Sequence, residues 1–380
     1  MKYHVILRAQ PEGSRLFFLF FIFLFILSSC SPRPQPTSIS DKPLGDEVVG
    51  KSGGVSALWL ATTDFQTAGL LRRLDLKTGE LKDLLPVGTD VRIFRDGDSR
   101  LFLLTSIQND SIHLLEWVEG AEAKVVSERA LAPRVNPQAV TRDAEGRIWL
   151  VSLDSNEVQI FTANLKNEIA TIDLSFLKDD GDPYAELSSI LFAAPNRIVV
   201  SAARLQRGEA WLPSAESRLA VIDTETFGVV ASPFVDVSNP LHLYLTRPQN
   251  ILVVGSGDLS LKRSLFGRWL NLSTVSLTSS DQTTLSSRIL DSSLCEDQKL
   301  AFIEWIPEEE KSCIRVGEQK LLCEQGNGGF IFNKLTCAGD LLFASYIKEG
   351  NAELWVIPRD GSQTKRIPMK QQIQSMSPGP

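Results

Sequence analysis

The chain has 380 residues, with 39 Lys and Arg residues, 46 Asp and Glu residues and a formal net charge of −7. This acidic balance excludes a broad basic surface for binding nucleic acid. A chain of this length could form two ordinary domains, but one closed all-β domain can equally be this long.

The first 30 residues divide into three physical zones. Lys2, Arg8 and Arg15 give a basic start, and Leu16–Leu27 is an unbroken apolar run of 12 residues. At about 1.5 Å per residue, a helix over this run spans roughly 18 Å, which is too short for a hydrocarbon core of about 30 Å. We therefore interpret residues 1–29 as a signal peptide that is removed, and not as a transmembrane helix.

This segment ends in Leu27-Ser28-Ser29-Cys30, a tetrad that resembles the bacterial lipobox. The resemblance implies that Cys30 receives diacylglycerol, that cleavage occurs on its amino side and that a further acyl chain follows. Two or more chains make a stable membrane anchor. Because Ser31 and not Asp follows the cysteine, the same resemblance favours the outer membrane of a Gram-negative cell. The alternative is an ordinary signal peptide with a coincidental cysteine.

Residues 31–54 combine Pro, Gly and polar residues, and we expect a flexible tether over residues 30–54. Within it, residues 45–52 match the P-loop pattern G-x-x-x-x-G-K-[ST]. A P-loop requires a buried strand before it, a helix after it and a loop free of negative charge. Here a proline-rich segment precedes the match, and Asp46 and Glu47 lie inside it. We therefore expect no nucleotide binding and no cofactor other than the covalent lipid at Cys30.

After residue 54 a short apolar segment recurs seven times, at intervals of 41 to 53 residues. Each copy follows a polar turn and precedes a second apolar segment, and no sustained helical periodicity interrupts the pattern. The spacing predicts one all-β domain over residues 55–380, a seven-bladed β-propeller of four-stranded antiparallel blades. The copies are Ala57–Leu60, Leu101–Leu104, Ile148–Val151, Ile198–Val200, Ile251–Val254, Leu300–Ile303 and Leu341–Ala344.

Two of the seven copies resemble known propeller repeats. Asn136–Val140, Gly146–Val151 and Asn156–Phe161 together look like an NHL-type repeat. Arg218–Thr226, followed by Asn239-Pro240, resembles the YVTN-type repeat of surface propellers. These resemblances support the fold but name no activity, because propellers host lyases, lactonases and adaptors alike.

The two ends of the chain complement each other. Blades two to seven each have an innermost strand before the recurring segment, such as Val91–Phe94, Gln138–Thr141 or His242–Leu245, whereas only the tether precedes Leu58. Residues 371–376 are left over at the C-terminus. Pairing them into blade one would close the ring and remove both open sheet edges.

Apart from Cys30, the cysteines are Cys295, Cys313, Cys323 and Cys337. An even set in an exported protein suggests two disulfides. A hairpin centred on Glu318 would place Cys313 opposite Cys323, which leaves Cys295 to pair with Cys337. Free buried thiols and a zinc site are the alternatives, although the set contains no C-x₂-C spacing.

The mature chain contains two histidines, His113 on a blade surface and His242 on an inner strand. Streptogramin-lyase and lactonase propellers use acidic, Asn or His residues around a metal at the channel. By this resemblance, a candidate ligand site at one channel mouth consists of Asn136, Glu186, Asn239 and His242. A Ser-His-Asp triad built on His242 would lack the G-x-S-x-G turn. Asp179–Asp182 resembles half of a calcium loop, and we expect a solvated loop there.

The corresponding inner-strand positions hold Arg92, Ala139, Ser189 and His242, a mixture that forms no metal-ligand set. We therefore expect no catalytic residue and no resident metal. The sequence favours a membrane-anchored, non-catalytic binding or scaffold module with a protein or small-molecule partner at its funnel or rim. The alternatives are a metal-dependent lyase or lactonase and, by analogy, a helper in outer-membrane protein assembly.

Overall fold

The computed structural model describes residues 46–379, apart from 65–68, 97–99, 107–109, 118–122, 194, 208–211, 214–215, 248, 257–263, 266, 273–275, 280–283, 286–287 and 327–330. Cys30 and the predicted signal peptide lie outside the described residues. Within the described ranges, no helix is long and apolar enough to cross a membrane.

The described strands form seven antiparallel blades in a ring, which confirms the predicted β-propeller. From its innermost strand to its outermost, blade 1 consists of Gln372–Gly379, Ala57–Thr63, Gly69–Asp75 and Leu81–Val87. In the same direction, blade 2 consists of Asp90–Arg95, Arg100–Ser106, Ser111–Glu116 and Lys124–Ala130. Blade 3 consists of Pro137–Arg142, Ile148–Ser152, Glu157–Phe161 and Glu168–Asp173.

Blade 4 consists of Leu187–Ala193, Arg197–Ala202, Ser217–Asp223 and Val229–Ala231, with Phe234–Val235 also paired to its third strand. Blade 5 consists of Pro240–Arg247, Asn250–Gly255, Gly267–Asn271 and Ser276–Ser279. Blade 6 consists of Arg288–Leu294, Leu300–Ile306, Lys311–Val316 and Gln319–Gln325. Blade 7 consists of Phe332–Ala338, Leu341–Lys348, Asn351–Pro358 and Lys365–Met369.

Smaller elements lie between these strands. Two short hairpins pair Leu205–Gln206 with Leu212–Pro213 and Ser264–Leu265 with Thr284–Leu285. Short 3₁₀ turns cover Ser175–Leu177 and Pro307–Glu309.

Burial falls from the second strand of a blade to its outermost strand. Every residue of Ala57–Thr63 and of Ile148–Ser152 is buried, whereas most of Lys124–Ala130 is exposed. The second strands are covered on both faces by neighbouring blades, so they consist of continuous apolar runs and not of an alternating pattern. This is why the second strands are the segments whose recurrence is visible in the sequence.

The innermost strands contact one another around the ring, and the C-terminal strand closes it. Gln372–Gly379 pairs antiparallel with Ala57–Thr63, which confirms the closure predicted for residues 371–376. Ile373 is 1 % exposed and packs with Leu58 of blade 1 and Phe343 of blade 7. Backbone hydrogen bonds thus tie the chain that leaves blade 7 into blade 1, and apolar packing joins the two blades.

Both predicted disulfides are present. Cys313 lies directly opposite Cys323 on neighbouring strands of blade 6, with Cα atoms 4.1 Å apart. Cys295 follows the inner strand of blade 6 and is bonded to Cys337 of the inner strand of blade 7, with Cα atoms 5.3 Å apart. The zinc site and the free thiols that were alternatives from the sequence do not occur at these four residues.

The end of the predicted tether is not extended. Asp46–Lys51 forms a short α-helix whose Val48 is 4 % exposed and lies in the core shared by blades 7 and 1. The Lys51 carbonyl accepts a hydrogen bond from Asp340 N–H (2.6 Å), and Lys51 Nζ lies 3.0 Å from Asp360 Oδ2. The composition of residues 31–54 does not indicate this helix, because only one apolar side chain of the segment, that of Val48, is needed to pack it against the blades. The folded unit therefore begins before the predicted boundary at residue 55.

The same helix accounts for the residues of the P-loop match. It lies inside the motif, whereas a phosphate-binding helix would follow the loop. The Ser52 hydroxyl donates to the Val55 carbonyl (2.6 Å), and Lys51 is paired with Asp360. Gly339 has a φ of +53° and packs against the backbone of residues 51–53, where a Cβ atom would overlap the neighbouring chain. These contacts hold the segment on blade 7.

Candidate functional site

The innermost strands have one open edge each, so their backbone amides need partners other than a neighbouring strand. Side chains of the adjacent blade supply several of them. Ile93 N–H donates to Ser375 Oγ (3.0 Å), and Leu335 N–H donates to Asp291 Oδ2 (2.8 Å). Cys337 N–H similarly donates to Ser293 Oγ (3.1 Å). Polar side chains therefore converge on the central funnel partly because the open strand edges require them.

A register shift recurs near the start of six of the seven inner strands, in blades 1 and 3 to 7. Such irregularities re-aim the side chain that follows them. The residues directly after the shift are Ser375, Ala139, Ser189, His242, Asp291 and Lys334. Four of them, Ser375, His242, Asp291 and Lys334, line the funnel cavity.

This cavity has a volume of about 250 Å³ and lies between the inner strands of blades 1, 2, 5, 6 and 7. Its uncharged polar lining includes Ser292, Ser293, Thr336, Gln374 and Ser375, and its apolar lining includes Ile93, Phe94, Leu335 and Met376. Its ionisable residues are Asp90, Arg92, His242, Asp291 and Lys334. A concave site with a few convergent charged groups is the usual form of a small-molecule site.

Asp291 connects three blades. Its Oδ1 lies 2.9 Å from His242 Nε2 of blade 5, and its Oδ2 accepts the Leu335 N–H of blade 7. Burial raises the pKa of Asp291, but the nearby Lys334 charge, His242 and the Leu335 amide together bring this pKa below its ordinary value. Asp291 is therefore ionised at neutral pH, and its carboxylate serves as a structural connection.

Tyr244 strengthens the same wall of the funnel. Its hydroxyl donates to the Ser292 carbonyl (2.7 Å), and its ring lies 5.7 Å from the His242 ring. Burial raises the pKa of Tyr244 far above its ordinary value, despite the hydrogen bond to Ser292. Tyr244 therefore remains neutral and holds the inner strands of blades 5 and 6 together.

Arg92 and Lys334 differ from these connected residues. Neither side chain forms a hydrogen bond or an ion pair with a described residue, and Arg92 Nε is buried without a partner. Burial lowers the pKa of the Arg92 guanidinium more than the charges of Asp90 and Asp291 raise it. Arg92 therefore experiences the charges of Asp90 and Asp291 without forming an ion pair with either of them.

Three of the four residues in the predicted ligand site occupy equivalent turns. Asn136, Glu186 and Asn239 directly precede the inner strands of blades 3, 4 and 5 with φ angles of 54°, 52° and 49°. The backbone carbonyl of each accepts a hydrogen bond from the amide that follows the second strand of its blade. None of these three residues is among those that line the funnel cavity, whereas His242 is.

The side chains of these three residues also have separate partners. Asn136 Oδ1 accepts a hydrogen bond from Gln138 Nε2 (2.8 Å), and Asn239 Nδ2 donates to Ser256 Oγ (2.7 Å). Together with the turn geometry, this indicates that Asn136 and Asn239 shape the connections between blades.

Glu186 is 0 % exposed and is paired with Arg207 at 2.7 Å. It also accepts the Leu205 N–H (3.1 Å), so it holds the Leu205–Gln206 hairpin strand against blade 4. Burial raises the pKa of Glu186 to about 7, against the opposing effect of Arg207. The carboxylate therefore changes its charge close to neutral pH.

The described residues contain no group of three or more His, Cys, Asp or Glu side chains arranged to hold a metal ion. In the loop that resembles half of a calcium site, Asp179 is paired with Arg204. The residues proposed from the sequence for a metal at the channel are bonded to different partners, so this donor set does not fit a metal.

A second row of polar residues lies on blade 2. Ser111 Oγ is 2.8 Å from His113 Nε2, and His113 Nδ1 is 3.6 Å from Glu128. Ser111 is buried and shares a further hydrogen bond with Thr105, and burial lowers the pKa of His113. His113 and Glu128 are direct cross-strand partners. We therefore interpret these contacts as side-chain pairing that stabilises the sheet of blade 2.

Exposed apolar side chains lie on the rim of blades 3 and 4. Phe176 and Phe234 are 43 % and 46 % exposed, and the Arg218 guanidinium packs over both rings. Arg204 also packs over Phe234. Cation–π contacts of this kind cover part of the apolar surface of the rim.

The sequence pointed to Arg92 and His242 as inner-strand residues, but not to Asp90, Asp291 or Lys334. Asp291 and Lys334 occupy the same inner-strand position as His242, in the two blades that follow it around the ring. Continuing the comparison of inner strands beyond blade 5 would have found them.

No protein-family model matches the chain, and no curated protein matches its sequence. Solved structures match its fold. A Bacteroides fragilis protein described provisionally as a 6-phosphogluconolactonase has a TM-score of 0.60 at 9 % identity, covering 84 % of this chain and 97 % of the other. A protein from Lactobacillus plantarum has a TM-score of 0.58 at 12 % identity, with coverages of 84 % and 98 %.

A catalytically inactive virginiamycin B lyase from Staphylococcus aureus, solved with quinupristin, has a TM-score of 0.51 at 12 % identity. The match covers 78 % of this chain and 94 % of the lyase. The chain therefore has structural neighbours among the lyase-like and lactonase-like seven-bladed propellers. At such low identities the similarity shows the fold alone.

Proposed function

We propose that the chain is a lipid-anchored protein of the bacterial cell envelope whose propeller binds a small polar molecule in the funnel without transforming it. One observation carries this proposal. Five ionisable side chains from four blades converge on one cavity, and two of them, Arg92 and Lys334, have no hydrogen-bond or ion-pair partner among the described residues. Charges without a partner at a concave site are typical of ligand recognition.

The state of the other funnel residues supports binding over catalysis. Asp291 is ionised and already occupied by His242 and Leu335, so it is not placed to exchange a proton with a substrate. His242 forms no hydrogen bond with a hydroxyl or thiol of a described residue, so the pair lacks the nucleophile of a catalytic triad.

The anchor is the second part of the proposal. The lipobox-like tetrad before Cys30 and the short apolar run favour acylation and attachment to the outer membrane. The two disulfides support export, because such bonds persist in oxidising compartments. The Asp46–Lys51 helix packs on blades 7 and 1, so a tether from Cys30 would end before residue 46.

A retention experiment tests the proposed function. The mature chain with Cys30→Ser is incubated with the small-molecule fraction of an envelope extract, re-isolated by gel filtration and denatured. Mass spectrometry then identifies what it releases. The matched control carries Gln374→Trp, because Gln374 lines the cavity and forms no side-chain hydrogen bond with a described residue. A bulky indole at this position should fill the funnel without changing its charge.

The wild-type funnel should retain a molecule in stoichiometric amount and release it unchanged, and the Gln374→Trp variant should retain none. Consumption of the molecule over time would instead support the lyase or lactonase alternative. Equal retention by both proteins would contradict binding in the funnel.

A further inference from the structure

Two cations approach the funnel from blades that are not neighbours, and neither has a hydrogen-bond or ion-pair partner among the described residues. Arg92 lies on the inner strand of blade 2, and Lys334 lies on the inner strand of blade 7, with the closing strand of blade 1 between them. The closing strand contributes Gln374 and Ser375 to the cavity between the two positive groups. A negatively charged group there would contact both cations and the amide of Gln374.

The remaining charges limit what such a group can be. Asp90 and Asp291 also line the cavity, so the formal charge of its Asp, Arg and Lys side chains sums to zero. Asp291 is occupied by His242 and Leu335, whereas Asp90 has no side-chain hydrogen bond or ion pair with a described residue. A dianion such as phosphate would bring the formal charge of the site to −2 beside Asp90, whereas a single carboxylate would bring it only to −1.

We infer that the funnel recognises a small organic acid whose carboxylate binds between Arg92 and Lys334 and whose hydroxyl or ammonium groups donate to Asp90. This inference rests on the proposed function and names the class of ligand. The planar guanidinium of Arg92 presents parallel N–H donors that match the two oxygens of a carboxylate. Lys334 adds a point charge from the opposite side of the closing strand.

The size of the cavity supports a small molecule. The cavity volume of about 250 Å³ lies near the lower end of the range for small-molecule sites. A hydroxy acid or an amino acid of this size fits, whereas a folded partner or a long polymer does not. Asp291 and His242 give the site a fixed wall, because they are hydrogen-bonded to each other and Asp291 also accepts the Leu335 N–H.

A matched pair of probes tests the ligand class. Glycerate has one carboxylate and two hydroxyls, and glyceramide is its uncharged amide of the same size. Binding of each probe to the mature chain is measured by calorimetry and by the NMR signals of the arginine guanidinium groups. The variants are Arg92→Gln, Lys334→Gln and, as the control, Arg100→Gln. Arg100 lies on the same blade, is 46 % exposed at its side chain and does not line the cavity.

Glycerate should bind saturably, and glyceramide should bind roughly 10- to 100-fold more weakly, as expected for the loss of a charged hydrogen bond. Arg92→Gln and Lys334→Gln should each lower the affinity for glycerate by a similar factor, whereas Arg100→Gln should leave that affinity unchanged. Because Arg92→Gln removes a buried group, Arg92→Lys and the thermal unfolding of each variant are measured in parallel. Partial recovery of binding in Arg92→Lys would show that charge and not folding is responsible.

Equal affinity for glycerate and glyceramide, or no saturable binding of glycerate, would overturn the inference. So would wild-type affinity in both charge variants. The retention experiment separates this failure from that of the proposed function. If the wild type retains a neutral molecule and Gln374→Trp does not, the proposed binding function stands and only the inference that the ligand is an organic acid is refuted.

Discussion

Replacing Ile373 by alanine perturbs the ring where the C-terminal strand meets blade 1. Ile373 is 1 % exposed and lies in the core that Leu58 of blade 1 and Phe343 of blade 7 share. Truncation of a buried isoleucine to alanine costs about 2–5 kcal/mol, because the lost transfer free energy adds to that of the cavity left behind. For a domain of this size, such a loss lowers the melting temperature by roughly 3–7 °C.

Val230→Ala is the matched control. Val230 lies on the outermost strand of blade 4 and is 51 % exposed, so its truncation should change the free energy of unfolding by less than about 0.5 kcal/mol. Both variants and the wild type are unfolded with guanidinium and by heat, and circular dichroism follows the loss of strands. Ile373→Ala should move the midpoint without changing the slope of the transition, because it changes stability and not the area exposed.

Coincident unfolding of Ile373→Ala and Val230→Ala would refute the reasoning. It would mean that the C-terminal strand is not packed against blades 7 and 1, and that the ring is closed by other contacts.

Three further predictions address other parts of the chain. Burial raises the pKa of Glu186 to about 7 in the folded protein, against 4.5 when unfolded, so between these pH values the native state binds a proton that the unfolded chain has lost. The free energy of unfolding should therefore fall by on the order of 3 kcal/mol as pH rises through this window. Glu186→Gln should abolish this dependence in a series of melting curves at different pH. Gly339→Ala should release the Asp46–Lys51 helix, detected as faster proteolysis after Lys51, while Gly361→Ala, which meets open space at a similarly positive φ, should not. Cys30→Ala should abolish uptake of labelled palmitate and membrane partitioning; unchanged partitioning together with an unlabelled wild type would contradict the anchor.

The sequence was informative about the fold because propeller blades repeat the same physical environment. The second strand of each blade is buried on both faces, so seven apolar runs recur at nearly constant spacing. The repeat also predicts that the extra C-terminal strand supplies the inner strand that blade 1 lacks, because each of the other blades has such a strand. The pairing of Cys313 with Cys323 followed from hairpin geometry, which depends only on local sequence.

The funnel was less predictable because its residues come from distant parts of the chain. His242, Asp291 and Lys334 are separated by more than forty residues from one another, and only the ring brings their strands together. The register shift that places each of them in the funnel has no sequence signature of its own. The prediction of Asn136, Glu186 and Asn239 as ligands depends on polar residues before inner strands, but left-handed turns also favour Asn at that position.

The docked helix was missed for a different reason. Val48 is one apolar residue in a segment of Pro, Gly and charged residues, and its burial depends on the apolar cluster that blades 7 and 1 share. No local sequence pattern indicates this cluster, because it forms only when the ring brings blades 7 and 1 together.

The most direct measurement of the central claim is a crystal structure of the mature chain after incubation with the small-molecule fraction of an envelope extract. The account predicts density for one small molecule in the funnel, with an acidic group between Arg92 and Lys334 and with Asp291 still bonded to His242. An unoccupied funnel with a molecule bound at Glu186, or on the rim beside Phe176 and Phe234, would contradict it.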